Sequence, residues 1–431
     1  MSKEENRKNF SKYVSQNILG MIGFSCYVLA DSYFISIAKG ADGLTALNLV
    51  MPLYSIIFSI GEMIGVGSAI RYAISKIKKD ADADDYFWNA IIWCIMSSMI
   101  FVFAGIFFSS DIMRVLGADE HIVAVGNNYT KIFMCFAPMF MCNYVTNAFV
   151  RNDGAPGIAM SATLFSSLFN IVFDYILMFP MNLGMEGAAL ATALSPIIGM
   201  GICSIHFFSK KSSVRLVVCK PSVRKLVAGG QLGISAFVGE MSSAVITLAF
   251  NFVILKLTGN VGVAAYGVVA NIAIVTTAVF NGVAQGSQPL ISSCFGRGDK
   301  DGCTQLKRMG YTTAFVLAAV MYSILFIFAE QFVAVFNSEG SEMLRLYATE
   351  GVKLYFIGIF FAGINIVGGG AFSATEDAFK AAVVSVARGF VLILGAVFVM
   401  SALFGMTGVW LAYAVAEGIT TFIMLVMALR V

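Results

Sequence analysis

Long apolar stretches alternate with short polar segments along almost the whole chain. A helix needs about 20 predominantly apolar residues to cross the hydrocarbon core of a bilayer. Twelve stretches reach that length, so the pattern predicts an all-α membrane protein with twelve transmembrane helices, here numbered span 1 to span 12. The predicted spans are 14–38, 45–70, 87–108, 122–148, 157–179, 187–208, 229–256, 261–290, 309–330, 350–373, 381–403 and 407–429.

The composition agrees with a membrane protein that crosses the bilayer many times. The chain is 58% apolar and 12% charged, whereas soluble domains contain about 25% charged residues. A net charge of +3 without a basic stripe between aromatic residues gives no indication of a nucleic-acid partner. The eight cysteines include no Cys-x-x-Cys pair, and His121 and His206 lie near predicted helix ends. These features argue against disulfides and against a cysteine or histidine metal site.

The distribution of basic residues predicts the orientation. An even number of spans places both termini on one side, and 21 of the 28 Lys and Arg residues, Arg430 included, lie in the tails and loops of that side. Five lie on the opposite side, and Lys131 and Arg388 lie within spans. Since basic loops stay in the cytoplasm, both termini are predicted to be cytoplasmic. The first apolar segment is too long for a cleavable signal. We therefore expect a multi-pass protein of the cell inner (plasma) membrane. We also expect it to be a monomer.

The two halves of the chain resemble each other. Residues 44–82 align without gaps on residues 263–301, an offset of 219, and this alignment matches Gly67-Ser68 with Gly286-Ser287. The alternative is chance similarity between apolar stretches, but two loop aspartates also match. We predict an N-terminal six-helix bundle at 1–208, a cytoplasmic linker at 209–228 and a C-terminal bundle at 229–431. Two pseudo-symmetric bundles of this kind are common in secondary transporters, where the substrate path lies between the repeats.

A carboxylate and a carboxamide occur one helical turn apart in span 5. Asn170 and Asp174 are four residues apart and therefore share a helix face. Ala188 and Thr192 have the same spacing in span 6, and Asp31 is a second acid within the first half. A charge at the bilayer centre costs about 3 kcal/mol on insertion scales, so these acids require an explanation.

Several short motifs follow one another over nearly the whole chain. They are Asp31-x-x-Phe34-Ile35, Gly67-Ser68, Lys78-Lys79-Asp80, Arg151-x-x-Gly154-x-Pro156, Asn170-x-x-x-Asp174, Gly184-Met185-x-Gly187-Ala188-Ala189-Leu190-Ala191-Thr192, Ala264-Ala265-Tyr266 and Gln285-Gly286-x-Gln288-Pro289. No single motif is very specific, but in their order and spacing they resemble the multidrug and toxic-compound extrusion (MATE) family, and its bacterial members most. The resemblance implies twelve helices in two six-helix bundles around a V-shaped central cavity.

The resemblance implies a cation or proton site formed by Asp31, Asn170, Asp174, the carbonyl of Ala188 and the hydroxyl of Thr192. Hard cations such as Na+ prefer oxygen ligands, and these five groups supply them. Without a cation, two close carboxylates would share a proton. The same residues could therefore take Na+ or H+. The structural alternative is a polar network that only holds helices together.

Five other polar residues within spans are candidates for the substrate cavity: Glu240, Glu62, Glu417, Gln285 and Gln288. Glu240 matches a carboxylate that some family members use for ions. An offset near 223, however, places Ile393 and Val397 where the second half would need its own Asn170 and Asp174. We therefore expect the cation site in the first half alone, and Glu240 to contact substrate or to form a structural hydrogen bond.

Taken together, these features predict an ion-coupled exporter of amphipathic, mostly cationic drugs. The coupling ion would be Na+ or H+, and no other cofactor is expected. Acids outnumber the bases Arg388 and Lys131 within the spans, which favours cationic substrates. The nearest alternative is a lipid-linked oligosaccharide flippase of the same superfamily, although such proteins often carry extra spans and a basic cavity. A receptor or scaffold without transport is a third hypothesis. An enzyme is not expected, since no nucleophile–base pair, metal cluster or phosphate loop is evident.

Overall fold

The protein is a bundle of long helices joined by short turns, as seen in a computed structural model that describes residues 3–337 and 340–429. No strand occurs in this part of the chain. Arg430 lies outside the described residues. The helices are α1 Lys3–Lys78, α2 Asp85–Val115, α3 Glu120–Cys135, α4 Ala137–Asn152, α5 Pro156–Met178, α6 Gly184–Phe207, α7 Val223–Gly296, α8 Lys300–Ile327, α9 Ala329–Phe336, α10 Glu342–Tyr355, α11 Ile359–Ala374, α12 Ala378–Val386 and α13 Leu392–Leu429.

Twelve spans emerge from these helices. Within 3–337 and 340–429, nine helical segments are long and apolar enough to cross a membrane, and α3 with α4, bent by 46°, forms a tenth. Two of the nine contain a reversal, at Gly259 in α7 and at Gly405 in α13. The Phe250 and Tyr266 rings stack 5.0 Å apart on either side of Gly259, which shows that the chain turns back there. The twelve predicted spans are confirmed.

The turns between spans repeat from one half to the other. Gly40, between spans 1 and 2, has φ 59° and ψ −141°, and Gly259, 219 residues later, has φ 67° and ψ −155°. A positive φ is strained for residues with a β-carbon, which explains glycine at both places. Among the described residues, every positive φ except that of Asn182 has a counterpart 219 to 223 residues away. The pairs are Gly40 and Gly259, Lys79 and Gly298, Gly117 and Gly340, Gly154 and Glu376, and Gly184 and Gly405. The pseudo-symmetry predicted from the offset is thus present in the backbone.

Two large clusters of buried apolar residues follow the two halves. The first is built around residues such as Tyr129 and Phe133, and the second around Phe250 and Trp410. Phe10 and Val14 of span 1 belong to the second cluster, so the N-terminal helix packs across the boundary. The bundle limits predicted at 208 and 229 remain a prediction. Between the bundles, α6 ends at Phe207 and α7 begins at Val223, so residues 223–228 of the predicted linker are already helical.

A buried acid anchors the linker. The Asp153 carboxylate accepts a hydrogen bond from Ser213 N at 2.9 Å and lies 2.8 Å from His206 Nε2. Tyr72 also donates to it, at 3.2 Å. We call this end of the bundle, where residues 208–222 lie, the linker side. Since Asp153 joins span 2, span 6 and the linker, it fixes the connection between the two halves.

Close contacts join the halves near the linker side. A β-carbon at Gly233 in span 7 would lie 1.9 Å from the carbonyl oxygen of Met63 in span 2. At the pseudo-symmetric place, a β-carbon at Gly286 in span 8 would lie 2.7 Å from the Cα of Val14 in span 1. Glu376 adds an ion pair with Arg71 of the first half. The glycines therefore let the backbones of the two halves touch.

Candidate functional site

Span 5 and span 6 bring three of the predicted ion ligands together. Asn170 and Asp174 are fully buried, and Thr192 is 1% exposed. In the amide orientation that satisfies both ends of Asn170, its nitrogen donates to Asp174 Oδ2 at 3.0 Å. Its oxygen then accepts from Thr192 Oγ1 at 3.1 Å. The helices approach closely enough for this because Gly187 lies against the backbone of Leu177, where a β-carbon would come within 2.8 Å.

Span 1 places Asp31 beside this group. Phe34, one turn after Asp31, lies 6.2 Å from the ring of Tyr175, the residue after Asp174. Nearer the linker side, Gly23 meets Leu164 of span 5. With spans 1 and 5 in this register, Asp31 is close enough to Asp174 for electrostatic interaction. The sequence analysis named both acids, and the structure brings them into one region.

Each of the two acids has an oxygen without a hydrogen-bond donor. Asp31 Oδ1 and Asp174 Oδ1 are both buried and find no partner in the described part of the chain. An unpartnered polar atom inside a protein is costly, and a charged one more so. Two such oxygens from neighbouring helices are what a small cation or a proton would satisfy. Asn170 and Thr192, which are hydrogen-bonded within this group, add neutral oxygens that suit a small cation. Ala188 is fully buried in span 6, and its carbonyl remains a predicted ligand.

Tyrosine hydroxyls extend the polar region. Tyr54 in span 2 and Tyr129 in span 4 hydrogen-bond to each other through their hydroxyls. Both lie within electrostatic range of Asp31. Among the described residues no group of three or more His, Cys, Asp or Glu converges, so any ion held here would rely on two carboxylates and neutral oxygens.

A second polar region is a cavity of about 110 Å³ between the halves. It is lined by four of the five predicted substrate residues: Glu62 from the first half, and Glu240, Gln285 and Gln288 from the second. The volume is below the roughly 300–1,000 Å³ of pockets that take drug-sized ligands. A drug is therefore not enclosed at this position in the present conformation.

Glu417, the fifth of those residues, is outside the lining set. It is 2% exposed and accepts from Arg388, with Oε1 2.7 Å from Nη2 and 3.0 Å from Nε. Asn365 Nδ2 donates to its other oxygen at 2.7 Å. Arg388 lies on a π-helical turn, Ala387–Val391, which interrupts span 11. Arg388 thus pairs with a carboxylate inside the protein, and it is Arg388 and Asn365 that reach the cavity wall.

The profile of the MatE family matches residues 17–176 and 236–399, which together make up most of the chain. The chain belongs to the MatE family. The two matched regions correspond to its two halves. Members of this family are transporters and not enzymes, so the expectation of a non-enzymatic protein is confirmed.

Curated relatives of this MatE protein are similar over almost their full length. A "Multidrug export protein MepA" of Staphylococcus aureus (strain MRSA252) is 28% identical over 414 residues, which cover 93% of this chain and 89% of the relative. The protein of the same name in Staphylococcus saprophyticus is 26% identical over 410 residues, with the same shares.

Solved structures share the fold of this MatE protein. One described as an outward-facing conformation of a multidrug resistance MATE family transporter has a TM-score of 0.92 at 20% identity, and covers 99% of this chain and 96% of its own. A MOP superfamily transporter from Pyrococcus furiosus has a TM-score of 0.91 at 19% identity, with 99% and 95% covered. The predicted all-α fold of two six-helix bundles is thereby confirmed.

In this MatE chain a polar bridge between the halves runs through Gln285. Its Nε2 donates to Glu62 Oε1 at 3.3 Å, and its oxygen accepts from Arg151. Arg151 is 7% exposed and also donates to Asn147 at 3.2 Å. Arg151 is one of the 21 basic residues predicted to lie in loops and tails on the side of the termini, but its side chain turns inward. The sequence does not indicate whether a basic side chain directly after a span points into the protein or toward water.

Asn365 is a site residue that the sequence analysis missed. It is 1% exposed, donates to Glu417 and lines the cavity. An offset of 222 relates it to Asn143 in the first half. Extending the internal alignment beyond 44–82 would have singled out this pair of asparagines.

Proposed function

We propose that the protein exports amphipathic, mostly cationic compounds across the plasma membrane in exchange for Na+ or H+. The observation that carries the proposal is the pair of buried acids, Asp31 and Asp174, each with an oxygen that lacks a donor. The similarity to proteins named for multidrug export supports the drug substrate. The protein would act as a monomer, with both termini and the linker in the cytoplasm.

The coupling follows from the cost of buried charge. Two neighbouring carboxylates in a low-dielectric interior repel each other and lose their hydration. A sodium ion or proton arriving from the side opposite the linker would remove that cost. Asp31 on span 1 and Asp174 on span 5 could then approach each other. Such a change in helix packing is the step that would alter access to the substrate path.

The fit to cations follows from Glu62 and Glu240 at the central cavity. Acids in a cleft with low-dielectric walls raise the local concentration of positively charged ligands. Arg151 reaches Glu62 only through Gln285, and Glu240 forms no salt bridge with a described residue. These acids are therefore available to a cationic drug when the halves separate. Asp31 does not line this cavity; it belongs to the proposed ion site with Asn170 and Asp174.

The test measures ethidium efflux from proteoliposomes under a sodium gradient at constant pH, and under a pH gradient without sodium. We expect one of the two gradients to drive efflux in the wild type. Asp31→Asn and Asp174→Asn should reduce gradient-driven efflux to background, because an amide cannot alternate between charged and neutral forms. Asp111→Asn is the control, since Asp111 is exposed and paired only with a surface arginine.

The half-to-half asymmetry gives a second outcome. Glu240→Gln should impair efflux less than Asp174→Asn, because Ile393 and Val397 pack in the apolar core where the second half would need ion ligands. Equal losses would show that the coupling site is misassigned. Gradient-driven efflux at the wild-type rate by well-folded Asp31→Asn and Asp174→Asn proteins would contradict the proposal itself.

A further inference from the structure

A groove of about 900 Å³ opens on the linker side, between span 1 and the start of span 9. We call it the terminal groove. One wall is the N-terminal part of α1 from Lys3 to Ile18, and the other is α8 from Asp301 to Leu317. Fifteen residues of helix extend over about 22 Å. The groove thus extends from the helix ends to the first one or two turns of the predicted spans 1 and 9.

The lining combines charged, hydroxyl and apolar side chains. The cations Lys3, Arg7 and Arg308 lie toward the helix starts, at the mouth, together with one acid, Asp301. Beyond them, hydroxyl and apolar side chains alternate along both helices. We call the apolar part of the lining the apolar floor: Phe10, Val14, Ile18, Met309 and Leu317. A cationic mouth that continues into an apolar strip matches the phosphate and the acyl chain of a phospholipid.

The cations at the mouth are unpaired. None of Lys3, Arg7 and Arg308 forms an ion pair with an acid in the described part of the chain, and Asp301 takes no cation there either. Basic pockets between transmembrane helices on the cytoplasmic side are suited to anionic lipid headgroups. An anionic headgroup would give these three charges a partner.

The pseudo-symmetric position in the other half is filled. An offset of 219 relates Arg308 to Asn89 and Lys3 to Ser222. Ser222 N donates to Asn89 Oδ1 at 2.6 Å, and Asn89 Nδ2 lies 3.1 Å from Cys219 Sγ. The linker therefore occupies the counterpart groove between spans 3 and 7. In the terminal groove, no segment within 3–337 and 340–429 lies where the linker lies in the counterpart groove. Arg308 occupies the position that corresponds to Asn89, whose amide binds the linker.

We propose that the terminal groove binds one anionic glycerophospholipid, with its phosphate at Lys3, Arg7 and Arg308 and an acyl chain along the apolar floor. The lipid would contact span 1 of the first half and span 9 of the second. It would take the role that the linker has in the counterpart groove. The proposal is independent of ion coupling, because it involves neither the acids near Asp31 nor the central cavity.

The test is native mass spectrometry of the purified full chain with lipids of matched acyl chains. We expect one phosphatidylglycerol to be retained with at least tenfold higher affinity than phosphatidylcholine. Arg7→Gln and Arg308→Gln should each weaken retention about fivefold, the amount expected for one basic residue near an anionic headgroup. Arg7→Lys and Arg308→Lys should keep most of the affinity.

Lys12→Gln is the matched control, since Lys12 is an exposed base on the same helix but outside the groove. It should leave retention unchanged. Equal binding of both lipids, or equal loss in Lys12→Gln and Arg7→Gln, would overturn the proposal. Displacement of the lipid by millimolar inorganic phosphate would also overturn it, because it would indicate a site for free anions without use of the apolar floor.

Discussion

Removing one partner of the buried pair Arg388–Glu417 should destabilise the protein strongly. The glutamate side chain is 3% exposed and the arginine 16%. Breaking such a pair by removing one partner typically costs about 3–5 kcal/mol, because the other charge remains buried. In Glu417→Gln the side chain is neutral and keeps one acceptor oxygen, so Arg388 and Asn365 can no longer both donate to it as they do to the carboxylate. We expect a loss near the lower end of that range, since Asn365 keeps its bond to the backbone carbonyl of residue 417 at 2.9 Å.

Replacing both partners should restore most of that loss. Apolar residues in place of a buried ion pair are often neutral or stabilising. In Arg388→Met/Glu417→Leu no charge is left behind, and Asn365 still accepts from Thr421 at 3.0 Å. The assay is the apparent melting temperature in detergent for Glu417→Gln, for the single variants Arg388→Met and Glu417→Leu, and for the double variant. We expect each single variant to melt several degrees lower, and the double variant to melt close to the wild type.

The control is the exposed pair Arg345–Glu342, one helical turn apart at 2.7 Å. Glu342→Gln should not change the melting temperature measurably, because exposed ion pairs contribute little. A melting temperature of Glu417→Gln equal to that of the wild type would contradict this role of the pair. So would losses of the two single variants that add in the double variant, since the two residues would then not be coupled.

Two further predictions concern contacts near the linker side. Gly233→Ala should lower the melting temperature, because its β-carbon would lie 1.9 Å from the Met63 carbonyl oxygen. Gly230→Ala is the control and should not lower it, since no atom lies within 4 Å of a β-carbon there. Equal effects of the two variants would contradict the close contact. Burial raises the pKa of the Cys219 thiol, so maleimide should label Cys219 slowly near neutral pH, where little thiolate is present. Asp153→Asn removes the anchor of the linker and should speed that labelling, as followed by peptide mass spectrometry. Unchanged labelling would show that Asp153 does not hold the linker in place.

The residues predicted for the central cavity needed a partner inside the membrane, but the sequence did not show which partner each would find. Glu62, Glu240, Gln285 and Gln288 were candidates because polar residues within apolar spans need partners, and all four line one cavity. Glu417 was chosen for the same reason and instead pairs with Arg388 behind the wall. Composition identifies which residues must be satisfied inside a membrane. It does not tell whether the partner is a protein side chain or a ligand.

The amino-acid sequence by itself determined the twelve spans, the duplication and the shared face of Asn170 and Asp174. These depend on the length of apolar stretches, on an offset and on helical periodicity, all of which are local properties. The tertiary structure was needed to show that Arg151 turns inward to Gln285, and that the linker fills one groove while its counterpart stays lined by cations. Those arrangements depend on the register between helices that are far apart in the chain. Close contacts at glycines set this register, and no local sequence pattern encodes it.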